Sequence, residues 1–330
     1  MKLAHRAAVV PVAAVVSVLA AVTFAAPAGG APMTVVPSVK VTATVAVGAR
    51  PLAVAVNPLA NTIYVANAHG HSVSVVNGQT NTVVATVPVR RLPQGVAVNQ
   101  ATGRIYVANT NSGTVSVING QTNTVVATVP ARRGPAGVAA DPRTDTIYVT
   151  QELSNTMSVI NGQTNTIVAT VPVGAFPQGV AVDPRTSTIY VANENSGTVS
   201  VINGQTNTVV ATIPVGGVPV GVAVNPVTGR IYVTIDGTEV VSVISEQTNT
   251  VVATIGVGHA PVGVAVNPRT NTIYVANEVS NSVSVISGRT NTVKATVPHV
   301  PTPVAVAVNP ATNVIYVTNA FQNTVSVLAG

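Results

Sequence analysis

His69 and His71 stand two residues apart, so in extended backbone both imidazoles point to the same side. That spacing suits a divalent metal or a proton relay, since neutral imidazole coordinates metals and titrates near neutral pH. His259, Glu278 and His299 carry the same chemistry from far along the chain. They join the pair only if the fold brings those stretches together, and otherwise all five are solvated loop residues.

Arg50, Arg90, Arg91, Arg132 and Arg133 form a second set, suited to a carboxylated or phosphorylated ligand. No aromatic platform accompanies them, so a solvated basic face is the simpler reading. A third set is acidic: Glu152, Glu194, Asp236, Glu239 and Glu278. Calcium favours oxygen clusters, but these carboxylates show no calcium-loop spacing.

Several chemistries are excluded. The chain has no cysteine, which removes disulfides, thiolate metal sites, a thiol nucleophile and a lipid-anchored amino terminus. It contains no phosphate-binding glycine loop, nucleophile elbow or paired-histidine zinc helix. No cofactor is required, although a divalent metal is allowed. Hydrophobic residues make up 47% and charged residues only 7% of the 330, so Thr, Ser, Asn and Gln must fill the surface.

The elements that position these groups are set by a repeat. Tyr64, Tyr106, Tyr148, Tyr190, Tyr232, Tyr274 and Tyr316 each sit in "IYV" and follow one another at steps of 42 residues. A fixed period of this size means a solenoid or a propeller. One repeat divides into "GVAVDP", "STIYVAN", "GTVSVING" and "TNTVVATIPVG", with "DPRT", "ENSG" and "NGQ" as turn chemistry between β-branched runs. Four antiparallel strands per unit follow. The runs are apolar on nearly every residue, so both sheet faces must be covered, as in radially stacked blades.

The chain is therefore expected to be all-β, a seven-bladed propeller spanning residues 38–330. The last repeat stops at "NTVSVLAG" without a fourth strand, while "VKVTATVAVG" near the start matches that strand. Residues 39–47 are expected to pair with 324–328 and seal the ring.

These phrases resemble the YVTN-type β-propeller repeat family, over nearly all of the chain after its first 28 residues. The resemblance implies an exported propeller. Relatives of that kind include surface-layer proteins, lactonase-type propellers and the propeller domains of some redox enzymes, so activity stays open. The absence of Trp counts against the tryptophan-docked quinoprotein version.

Ahead of the ring, Lys2 and Arg6 precede an uncharged apolar run over residues 7–26 that ends in small residues. This is the pattern of a secretory signal peptide over 1–28, cut after Ala28, with 29–37 as a short linker. The rival is an uncleaved anchor, because about 20 apolar residues can span a bilayer. Removal of 1–28 reduces the 15 basic residues to 13 against 9 acidic ones, net +4. Nucleic acid is not an expected partner at so mild a charge, and the mature chain is expected to be a secreted or wall-associated monomer.

In a four-stranded meander, the loop leading into a blade and the loop between its second and third strands share one rim, the top. These loops break the repeat, whereas the bottom turns largely keep it, so any ligand is expected on the top rim. Two functions remain. One is a non-catalytic binding or surface scaffold for a protein, peptide or glycan. The other is a lactonase-like hydrolase or lyase with a top-rim histidine as general base and a divalent metal. Within the rim, His69, His71, His259, Glu278 and His299 rank ahead of the arginines.

Overall fold

The computed structural model describes residues 39–330, so the segments expected over 1–37 lie outside the described residues. Blade 1 is built from β2 (Pro51–Asn57), β3 (Thr62–Asn67), β4 (Ser72–Asn77) and β5 (Thr82–Pro88), hydrogen-bonded in that order. The same meander recurs five more times through residue 298, and a seventh four-stranded sheet completes the ring.

The tight turns follow from Asn. At the bottom of blade 1, Asn77 Oδ1 accepts from the amides of Gln79 at 2.8 Å and Thr80 at 3.1 Å, and Asn81 adopts φ 55°. Asn is one of the few residues that enter the left-handed region at little cost. Repetition of "NGQTN" repeats the turn.

The seams between blades account for the apolar runs. Tyr64, Ala66, Val73, Val75 and Val87 of blade 1 pack on Val96, Ile105, Val107 and Ile118 of blade 2. The pattern advances by one repeat at each seam, with Tyr106 against Ile147 and Tyr148 against Ile189. Each buried Val or Ile contributes about 1.5–3 kcal/mol, against at most about 1 kcal/mol for an exposed ion pair. Seam packing therefore holds the ring, and the tyrosines belong to it.

The innermost strands approach so closely that one position in five blades must lack a side chain. A Cβ on Gly95 would collide with the carbonyl oxygen of Ala136 on the next inner strand. Ala53 and Ala305 take the equivalent place in blades 1 and 7.

The outermost strands carry a bulge at a constant place. In β5 the register shifts so that Val84 has no partner, and it is 58% exposed. The bulge interrupts the free edge and so blunts pairing with another chain.

Closure occurs as the sequence requires. β26 (Pro303–Asn309), β27 (Val314–Asn319) and β28 (Thr324–Ala329) are completed by β1 (Lys40–Ala46) in the order β1-β28-β27-β26. Val45 faces Val325 and Val41 faces Leu328. Across the joint, Val54, Ile63 and Val65 of blade 1 pack with Val45, Tyr316, Val325 and Val327 of blade 7. Among the described residues, no helix is long and apolar enough to cross a membrane.

Candidate binding face

The top rim has a repeating backbone frame. The first residue after the second strand donates its amide to the residue that leads into the same blade: Ala68 to Arg50 O at 2.8 Å, Glu152 to Gly134 O at 2.8 Å, Glu278 to Ala260 O at 2.9 Å. Several lead-in residues hold left-handed φ without being glycine, including Arg50 at 53°, Phe176 at 55° and Ala260 at 51°. Such a conformation costs about 1–2 kcal/mol per residue and persists only where surrounding contacts enforce it. The frame is thus rigid, and what varies is the side chains it presents.

At the tips of the loops between second and third strands, blade 1 carries His69, blade 3 Leu153, blade 6 Val279 and blade 7 Phe321. Leu153, Val279 and Phe321 are 62%, 66% and 63% exposed. Arg50 lies over the Phe321 ring at 5.7 Å and donates from Nη1 to His69 Nε2 at 3.3 Å. A cation–π contact of this kind joins blades 7 and 1 at the rim.

The histidines do not gather around one point. His69 Nε2 already accepts from Arg50, which occupies the lone pair that a metal would need. His71, at φ 48°, accepts from the Leu92 amide at 3.4 Å on the blade 2 side. His259 Nδ1 sits 2.6 Å from Glu239 Oε1, between blades 5 and 6. His299 is exposed at φ 61°, and Glu278 is half-buried beside Ala260. No group of three or more His, Asp or Glu among the described residues is placed to hold a metal ion. Arg90, Arg91, Arg132 and Arg133 are all exposed, and the Arg91 amide donates to Ser112 Oγ at 2.8 Å.

One carboxylate that was ranked low in the sequence holds the most constrained place. Glu152 is 2% exposed. Gln94 Nε2, from the inner strand of blade 2, donates to its Oε1 at 2.8 Å, and Gln178, from the inner strand of blade 4, makes a second side-chain hydrogen bond. Thr110 Oγ1 donates to Pro135 O at 2.7 Å and lies 3.1 Å from Gln94 Oε1. Burial pushes the Glu152 carboxyl from its ordinary 4.5 up to about 7, the two amides pull it down, and the Glu194 charge adds to the rise. The resulting chain of polar contacts ties blades 2, 3 and 4 where the inner strands begin. The signal for it was the 42-residue ladder Glu152, Glu194, Asp236 and Glu278, which places an acid at one position in four successive blades.

Apart from the buried Glu152 of blade 3, charge on this rim is segregated. All five arginines lead into blades 1, 2 and 3, while Glu194, Asp236, Glu239 and Glu278 belong to blades 4, 5 and 6. Blade 7 has neither.

On the bottom rim, inter-blade hydrogen bonds recur: Asn225 Nδ2 to Asn271 Oδ1, Asn267 to Asn313 and Asn309 to Asn61, each at 2.8 Å. Blade 5 departs from the pattern at Glu246, where every other blade has Gly, and it carries Gly229, like Gly103 of blade 2, where blades 1, 6 and 7 have Asn. Glu246 compensates by accepting from Arg185 Nη2 at 2.7 Å and Thr186 Oγ1 at 2.8 Å. An open groove of about 1010 Å³ lies there, lined by Arg185, Thr228, Arg230 and Glu246 among others.

The profile described as the NHL repeat matches residues 91–118. A search of curated proteins gave no match. Among solved structures, Kuenenia stuttgartiensis hydrazine synthase is similar with a TM-score of 0.76 at 21% identity, over 85% of this chain and 95% of that one. At that identity the likeness concerns the fold alone. Seven four-stranded blades, a repeat match and a propeller-sized structural likeness together identify the chain as a β-propeller repeat protein.

Proposed function

We propose that this chain is an exported propeller of the YVTN repeat type that acts as a non-catalytic binding scaffold, secreted or held at the cell wall. Its ligand is a protein, peptide or glycan on the top rim. The observation that carries the reading is the contrast on that rim: a repeated, enforced backbone frame presents tip residues of unrelated chemistry, from His69 to Leu153 to Phe321. Variable side chains on a rigid body are how scaffolds host ligands. Exposed apolar tips beside arginines are also the composition of protein-contact surfaces. Export is supported by the basic, apolar and small-residue order of the first 28 residues.

The test has two parts. Amino-terminal sequencing of the extracellular fraction is expected to begin at Gly29, and recovery of Met1 in the membrane fraction would replace export with anchoring. Peptide and glycan arrays are then probed with the parent, with a Leu153→Ser, Val279→Ser, Phe321→Ser variant, and with a bottom-rim Leu59→Ser, Val227→Ser variant. Signal lost only from the first variant supports the top rim, and signal lost only from the second overturns it.

A further inference from the structure

The segregated charge of the top rim has a symmetry of its own. In a seven-bladed ring each blade takes about 51° of the turn, and a twofold axis lying in the rim plane passes through one blade and the opposite gap. Two copies placed face to face about the axis through blade 7 superpose blade 1 on blade 6, blade 2 on blade 5, and blade 3 on blade 4.

That single axis sets Arg50 opposite Glu278, Arg90 and Arg91 opposite Asp236 and Glu239, and Arg132 and Arg133 opposite Glu194. Each opposition is made twice. Moving the axis by half a blade in either direction keeps two oppositions of base and acid but overlays like charges at one blade: blade 3 with its own arginines, or blade 4 with its own Glu194. Phe321, 63% exposed, belongs to the blade through which this axis passes, so it would face the same blade of the second copy.

We infer that the top rim docks a second copy of this chain, forming a face-to-face dimer about the axis through blade 7. The inference rests on the top rim being the binding face and names its occupant. It also departs from the monomer expected from the sequence. An isologous interface requires one patch to be self-complementary, and this arrangement of charge meets that requirement. Electrostatic complementarity then fixes the register and suppresses the six other rotations, while Phe321 supplies an apolar anchor in blade 7. The buried Glu152 takes no part.

The experiment uses the natural absence of cysteine. A Phe321→Cys variant of the full chain, mildly oxidised, is expected to form a disulfide-linked dimer, whereas bottom-rim Val227→Cys is not. Sedimentation of the unmodified chain is expected to show a dimer whose dissociation constant rises at least about tenfold between about 0.05 M and about 0.5 M salt. Arg90→Glu, Arg91→Glu and Asp236→Arg, Glu239→Arg variants are each expected to be monomeric alone and to form a heterodimer when mixed. A chain that stays monomeric at every concentration, or that cross-links equally from both rims, overturns the inference. Array signal that persists on such a monomer leaves the top rim as a binding face for another partner, and its absence removes both readings.

Discussion

Gln94 donates to Glu152 across 58 residues of chain, and the pair fixes an almost inaccessible carboxyl at the top of the inner strands. Between about pH 4.5 and about pH 7, the folded state keeps the proton that the unfolded chain has already released. The folded protein therefore binds the extra proton, and stability falls as pH rises through that window, by about 3 kcal/mol in all. The Glu152→Gln variant keeps the hydrogen-bonding shape without the charge. It is expected to lose this slope and to exceed the parent in stability above pH 7, as read from denaturant midpoints at pH 5, 6 and about 8.

Close approach of the inner strands makes Gly95 intolerant of a side chain. Gly95→Ala is expected to cost about 1–3 kcal/mol, because the new methyl group meets the Ala136 carbonyl and the backbones must move apart. Ala53→Gly, at the equivalent place in blade 1, is expected to cost about 1 kcal/mol or less. Equal losses at both sites would show that strand propensity, rather than contact with the next blade, sets the residue.

Blade 5 allows a coupling experiment. A Cβ at Gly229 would lie 3.2 Å from Glu246 Oε2, and Gly229 holds φ 61° where Asn61 holds 47°. Gly229→Asn alone is expected to destabilise by crowding Glu246. In a Glu246→Gly background, the same change gives the Asn and Gly combination of blades 1, 6 and 7 and is expected to be neutral or stabilising. The double-mutant cycle should give a coupling of about 0.5–2 kcal/mol, and a value near zero would mean that the two departures are unrelated.

Removal of residues 1–48 takes away β1 and leaves β28 as a bare, apolar edge. The truncated chain is expected to melt at lower temperature and to aggregate, as followed by light scattering during heating. A monomeric truncation as stable as the parent would show that three strands suffice for blade 7.

The architecture was legible because it rests on local repetition. Each "IYV" fixes a buried Tyr, each "NGQTN" a turn, and the surplus strand at the start matches the deficit at the end. The side-chain geometry of the rim was not legible, because its partners come from different repeats. Nothing near His259 in the chain shows that it will turn toward Glu239 of blade 5 rather than toward blade 1. Glu152 stands out in the sequence only as one of five scattered acids for the same reason, since its burial depends on glutamines from the blades on either side.

Thr42 Oγ1 donates to Val327 O at 3.1 Å across a sequence separation of 285 residues. A chain synthesised from its amino terminus makes this clasp last: β1 emerges first and waits, without its mate, while six complete blades form behind it. Non-local pairing of this kind is slow, because the loop must close before any contact rewards it. The joint between blades 7 and 1 is thus where an incomplete molecule stays open, and where capture by a strand of another chain competes longest with maturation.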